Sequence, residues 1–140
     1  MKIALVTVGK TETPEIRGLV EEYSKRVSRY AGFEMIETTE DKLARHLGKF
    51  DRVFLLDDRA REYRSIEFAD FVGKIMNSGI KSAAFVVGGP FGFPEEAKTL
   101  ASGSVSLSKM TFPHDLVRAI FLEQLYRAFS ILKNEKYHHE

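Results

Sequence analysis

Apolar and β-branched runs alternate with amphipathic stretches along the whole chain, the pattern of a mainly parallel sheet covered by helices. Ile3 to Val8 forms a continuous apolar run and predicts a buried strand. Thr13-Pro14-Glu15 then opens a helix, because proline fits a first turn and an acidic residue favours the positive end of the helix dipole. Its apolar face is Ile16, Leu19, Val20, Tyr23, Val27 and Tyr30. Phe33 to Glu37 predicts a short strand, Leu43 to Leu47 a brief helix, and Arg52 to Leu56 a strand ending at Asp57-Asp58. Ser65 has the side chain of an N-cap for a helix that buries Phe68, Phe71, Val72, Ile75 and Met76 and stops at Asn77-Ser78-Gly79. Ala83 to Val87 is a central strand, Pro94-Glu95-Glu96 a helix first turn, and Ser104 to Leu107 a further short strand. The last helix runs from about Asp115 to Asn134. Leu116, Val117, Ile120, Phe121, Leu122, Leu125, Phe129, Ile131 and Leu132 cover more of it than one stripe, an excess that points to a subunit interface. The pattern predicts an α/β fold with helices on both faces of the sheet, in one domain over residues 1–140.

Composition narrows the setting. With 140 residues, 44% of them hydrophobic, the chain can build one core without a disulfide or metal staple. It has no cysteine for an extracellular scaffold or a thiolate metal site. The apolar run after Lys2 meets Gly9, Lys10 and Thr11 where a leader would need small residues for cleavage, and no apolar stretch approaches a membrane span. The expectation is a soluble, cytoplasmic protein with no membrane partner. Twenty-one basic against 20 acidic residues leave a net charge of +1, which excludes a general nucleic-acid coat and restricts any RNA contact to a local patch.

Three segments carry candidate chemistry. Val86-Val87-Gly88-Gly89-Pro90-Phe91-Gly92-Phe93-Pro94 joins a strand to a helix through a glycine loop, where backbone can approach a ligand closely. A tight strand-to-helix turn would use the same residues. The spacing is not a dinucleotide fingerprint, and no acidic residue stands between Glu96 and Asp115 to hold a ribose. Gly9-Lys10-Thr11 is not a phosphate loop, since position 4 is alanine within a strand. Ser104 to His114 offers backbone donors and acceptors at a helix N-terminus, for an adenine edge or a carboxylate, or else simply forms an edge strand and loop. Tyr137-His138-His139-Glu140 follows the last helix and is either functional or an inert tail. It lacks the acidic or thiolate partners of a metal site.

Taken jointly, these segments resemble the ribosomal RNA large subunit methyltransferase H family, within the trefoil-knotted SPOUT methyltransferases. The resemblance spans essentially the whole chain. It is carried by Leu5-Val6-Thr7-Val8-Gly9-Lys10, Leu56-Asp57, Gly88-Gly89-Pro90-Phe91-Gly92, Ser106-Leu107-Ser108, Thr111-Phe112-Pro113-His114, Leu116-Val117-Arg118, Glu123-Gln124-Leu125-Tyr126-Arg127-Ala128 and Tyr137-His138.

The resemblance implies a C-terminal trefoil knot that ordinary connection rules would not generate, and S-adenosylmethionine as cofactor, held by Leu56, Gly88, Gly89, Leu107, Ser108, Lys109, Met110, Thr111 and Phe112. It implies a homodimer whose active site is completed across the interface. The substrate it implies is a pseudouridine of 23S rRNA in the assembled ribosome, methylated at N3, with no metal. Docking on a preformed ribosomal surface would reconcile RNA binding with near-neutral charge. His114, Tyr137 and His138 become the candidate catalytic groups, each a base or an RNA contact, and Arg61, Arg118 and His139 the candidate RNA ligands. Two places depart from the family: His139 stands where many members carry lysine or arginine, and in Asp58-Arg59-Ala60-Arg61 relatives often have glycine and lysine at the last two positions. Two further readings share the fold class: a nucleotide-dependent enzyme using the glycine loop, and a non-catalytic ribosome-binding module.

Overall fold

In the computed structural model, which describes residues 1–139, five parallel strands form one sheet in the order β2-β1-β4-β3-β5. The strands are β1 (Lys2–Val8), β2 (Gly32–Thr38), β3 (Arg52–Leu56), β4 (Ser82–Val87) and β5 (Gly103–Val105). The helices are α1 (Pro14–Val27), α2 (Leu43–Leu47), α3 (Ser65–Met76), α4 (Glu95–Leu100) and α5 (His114–Leu132), with a 3₁₀ turn at Glu40–Lys42.

Strand side chains alternate between the two faces, and the core divides accordingly. Ile3, Leu5, Phe54, Ala83 and Phe85 pack beneath the layer of α1, α3 and α5, while Ala4, Val6, Val53, Leu55, Ala84 and Val86 face α2 and α4. Both faces are therefore covered, which is why β1 and β4 read as nearly continuous apolar runs. β4 is central, as its composition predicts.

Three local expectations shift. Arg64, not Ser65, precedes the first turn of α3: the Glu67 carboxylate accepts the Arg64 N–H at 2.8 Å, and the Ser65 hydroxyl instead donates to Gln124 Oε1 at 2.9 Å. Leu19 belongs to the apolar periodicity of α1 but lies outside its buried stripe. Most of the broad apolar surface of α5 is consumed within the chain, because α5 lies against both α1 and α3 and also touches β4. Phe121, Leu122, Leu125 and Phe129 are buried there, leaving Leu116 and Leu132 exposed.

From β5, at the sheet edge beside β3, the chain returns to β1 before α5 begins. Asp115 Oδ2 accepts the backbone N–H groups of Glu12 and Thr13, both at 2.9 Å. Residues 106–113 thus traverse the carboxyl ends of the central strands.

Candidate active site

Parallel strands all end on one side of the sheet, and a crevice opens where their following loops diverge. Here β3, β4 and β5 end at Leu56, Val87 and Val105, and their loops enclose a cavity of about 570 Å³, within the range of small-molecule sites. Leu56, Gly88, Gly89, Leu107, Ser108, Met110, Thr111 and Phe112 line it, as does His114. The crossing segment is fastened by Thr111 Oγ1 to Asp58 Oδ2 at 3.2 Å and by the Ser106 hydroxyl to the Ser108 carbonyl at 2.9 Å.

Lys109 is the exception among the expected cofactor contacts. Its N–H donates to Glu62 Oε2 at 3.2 Å and its ammonium reaches Glu62 Oε1 at 3.9 Å, so it ties the crossing segment to the loop after β3 instead of lining the cavity.

The glycine loop is a tight turn. Gly92 N–H donates to the Gly89 carbonyl at 3.0 Å, and Gly92 has φ of +84°, a left-handed conformation that favours glycine. A Cβ at Gly88 would stand 3.0 Å from the Gly92 carbonyl oxygen and 3.1 Å from the Phe93 ring, and one at Gly89 would stand 3.2 Å from Val8. A side chain at either glycine would crowd the turn where it closes beside the cavity, most of all at Gly88, which meets backbone.

Arg118 corrects the sequence reading. It is fully buried, with its guanidinium donating to the Val8 carbonyl (3.2 Å), the His114 carbonyl (3.1 Å), Thr11 Oγ1 (2.9 Å) and Glu37 Oε2 (3.2 Å). Glu37 Oε2 also accepts the Thr11 N–H at 2.6 Å and its hydroxyl at 2.9 Å. Arg118 therefore fastens the segment after β1 to the start of α5, inside the protein, and presents nothing to RNA. Burial lowers its pKa, yet a guanidinium so surrounded by acceptors stays protonated. Asp115 completes the clamp, and the Thr13 N–H followed by that of Glu12 holds its carboxyl below the ordinary range.

Tyr137 and His138 sit at the other end of α5. The tail folds back along that helix to Glu123 and Arg127, so about 14 to 20 Å of axial rise separates those contacts from His114. The Tyr137 hydroxyl donates to Glu123 Oε2 at 2.7 Å and lies 3.4 Å from the Tyr23 hydroxyl, and its ring meets Tyr126 edge-on at 4.6 Å. Burial, then the bonds to Tyr23 and Glu123, push its pKa well up, so the phenol stays protonated. Glu123 in turn pairs with Arg127 at 2.6 Å. Arg127 Nη1 lies 3.0 Å from His138 Nδ1. A guanidinium can only donate, so Nδ1 accepts, and in the neutral ring the proton sits on Nε2. That Nε2 is buried and has no partner among the described residues.

His139 is exposed. Arg61 lies over the Tyr63 ring at 4.6 Å and 3.8 Å from Glu67, on the surface of the loop after β3. The structure thus brings His114 to the cofactor segments and keeps Tyr137, His138 and His139 away from them within one chain. Sequence reasoning missed Glu123 and Arg127, which hold the tail; their separation by four helical residues is the signal that marks such a pair.

Comparison with known proteins adds three findings. The family described as "Predicted SPOUT methyltransferase" matches residues 1–138. The chain is 39% identical to a Ribosomal RNA large subunit methyltransferase H from Flavobacterium psychrophilum over the full length of both chains, and 42% identical to one from Christiangramia forsetii over 99% of each. Among solved structures it is similar to a probable methylase family protein from Haemophilus influenzae, with a TM-score of 0.59 and 12% identity over 99% of this chain and 70% of that one, a likeness of fold alone.

Proposed function

The chain belongs to the SPOUT methyltransferase family, and from that premise we propose that it transfers a methyl group from S-adenosylmethionine to N3 of a pseudouridine in 23S rRNA, on the assembled ribosome in the cytoplasm. The observation that carries this reading is the cavity where the loops after β3, β4 and β5 converge, since Leu56-Asp57, the Gly88 to Gly92 turn and most of Leu107 to His114 meet there. The names of the 39–42% identical relatives support rRNA as substrate. The crossing of residues 106–113 over the strand ends is where the trefoil threading belongs.

The donor set suits an adenosyl sulfonium. Leu56, Leu107 and Phe112 supply apolar walls for a flat base, the turn at Gly88 and Gly89 brings backbone close, and the Asp57 and Asp58 carboxylates complement a cation. When bound, the cofactor supplies an electrophilic methyl on sulfur. The protein must hold the substrate nitrogen in line with it, and the clamped start of α5 provides a rigid wall for that purpose. Transfer to N3 would also require its proton to leave to a base. His114 lines the cavity, is exposed, and is the imidazole placed to accept it. Tyr137 stays protonated and acts as an anchor. His138, held by Arg127 with its Nε2 buried, fixes with Tyr137 the tail that meets the RNA.

This division requires two copies. The tail packs on α5 at Glu123 and Arg127 and lines no part of the cavity of its own chain, so in this reading the tail of one subunit completes the cavity of the other in a homodimer. The exposed Leu116 on α5 supports such an interface.

The test is methyl transfer from labelled S-adenosylmethionine to ribosomes and to protein-free 23S rRNA, with mass mapping of the product. Transfer to one pseudouridine, on ribosomes only, is expected. Equal activity on naked rRNA would refute the assembled-ribosome substrate. A thermal-shift screen with S-adenosylmethionine, its demethylated product, NAD and ATP separates this from the nucleotide-dependent and non-catalytic readings, since a ligand of the native state raises its stability.

A further inference from the structure

The cavity has an apolar rim that nothing in the chain uses. Phe91, at the tip of the glycine turn, is 93% exposed, and Met110, on the crossing segment, is 75% exposed; both border the cavity. A phenylalanine so placed adds nothing to the core and leaves apolar surface in water. Its backbone is nonetheless held: Pro90 precedes it with φ restricted, and the Gly92 to Gly89 bond closes the turn beneath it. The ring is thus presented outward at the mouth of the cavity.

The charges around it are unevenly engaged. Asp58 accepts from Thr111, the Asp57 carboxylate accepts the Arg59 N–H, and Lys98 lies 3.4 Å from Glu95. The Arg59 guanidinium has no hydrogen-bond or ion-pair partner among the described residues, although Arg59 borders the same cavity. An exposed aromatic face, a thioether and an unpaired cation around one opening match an unstacked nucleotide, with the ring against the base and the guanidinium toward a phosphate.

We propose that Phe91 is the stacking surface on which the target base is seated as it enters the cavity, with Met110 on the rim and Arg59 holding the adjoining phosphate. This rests on the methyltransferase reading above and assigns to that site the residues that position its substrate. A base that leaves its helix loses stacking on its neighbours, and an aromatic side chain at the entrance restores part of it. Phe91 and Arg59 then act on substrate binding, beside the cofactor contacts at Leu56, Gly88, Leu107 and Phe112.

The experiment measures methyl transfer to ribosomes lacking the modification, with Phe91→Ala, Phe91→Leu, Phe91→Trp and Arg59→Gln beside the wild type. Phe91→Ala and Phe91→Leu should raise KM for ribosomes about ten-fold or more with kcat changed far less. Phe91→Trp should keep KM within about three-fold, because stacking needs a π-face. Affinity for S-adenosylmethionine by calorimetry and sedimentation of the free protein should match wild type in all four. Unchanged KM in Phe91→Ala overturns the proposal, as does full function in Phe91→Leu, which would make the contact merely apolar. A change in subunit association with Phe91→Ala also overturns it, by making the ring an interface residue. An inert wild type would sink the methyltransferase reading itself, and this assignment with it. An active wild type with unaffected variants sinks only the stacking role.

Discussion

Replacing Arg118 by alanine tests the central correction to the sequence reading. The substitution removes four donated hydrogen bonds, taking a donor from the Val8 and His114 carbonyls and the cation from Glu37. Breaking a buried ion pair from one side costs about 3–5 kcal/mol. The Glu37 side chain is 34% exposed and keeps both Thr11 donors, so water and Thr11 offset part of the loss and about 3 kcal/mol is expected. At this chain length 1 kcal/mol corresponds to roughly 3–4 °C, which lowers Tm by about 10 °C. Urea and thermal unfolding measure the loss directly, and a double-mutant cycle with Glu37→Gln isolates the pair. Arg118→Lys should recover only part of it, because an ammonium cannot reproduce the guanidinium fork. Below the melting range the alanine variant should bind ribosomes nearly as well as wild type, while methyl transfer falls as the start of α5 loosens around His114. Stability within about 1 kcal/mol of wild type, together with lost ribosome binding, would refute the structural role and return Arg118 to the RNA surface.

Gly88→Ala should weaken S-adenosylmethionine at least about ten-fold by calorimetry, because its Cβ displaces a carbonyl and a ring from contacts of 3.0 and 3.1 Å; unchanged affinity would move the cofactor out of this cavity. Deleting residues 137–140 should abolish methylation while cofactor affinity stays within a few fold, whereas full activity would make the tail inert. Tyr137→Phe, which removes the bond to Glu123, should cost about 1.5–2 kcal/mol in unfolding experiments and lower activity by loosening the tail. Asp115 has a folded pKa below its unfolded one, so its stabilisation is complete above about pH 4 and is lost as pH falls through the lower folded value. Asp115→Asn should therefore flatten the acid limb of stability measured by urea melts, and an unaltered limb would show that these N–H bonds do not hold the carboxylate.

Residue types within a few positions of one another carried most of the secondary structure. The ranges of β3 and α2 coincide with their apolar runs, since a strand between two helical layers must be apolar on both faces. Ser65 misled because a good capping side chain had a better partner in Gln124, 59 residues away. The cofactor segments were legible only jointly, through the family resemblance: a glycine turn or a short edge strand alone is equally a piece of connecting structure. Lys109 shared their sequence segment yet turned to Glu62, because a carboxylate 47 residues away gave its ammonium a partner outside the cavity.

The amino-acid sequence by itself determined the α/β class, the order of elements, the family and the segments that meet at the strand ends. These follow from periodicity and local chemistry, which act over a few residues. Tertiary structure alone decided that Arg118 is a buried clamp and not an RNA ligand, that Tyr137 is an anchored phenol, and that the tail packs on α5 and does not line the cavity of its own chain. Those outcomes depend on which distant acceptors surround a side chain once the chain has crossed its own sheet, as when Arg118 reaches Thr11 from 107 positions away. Burial and pairing, set by that crossing, fix the role of a charged residue where its identity leaves the choice open.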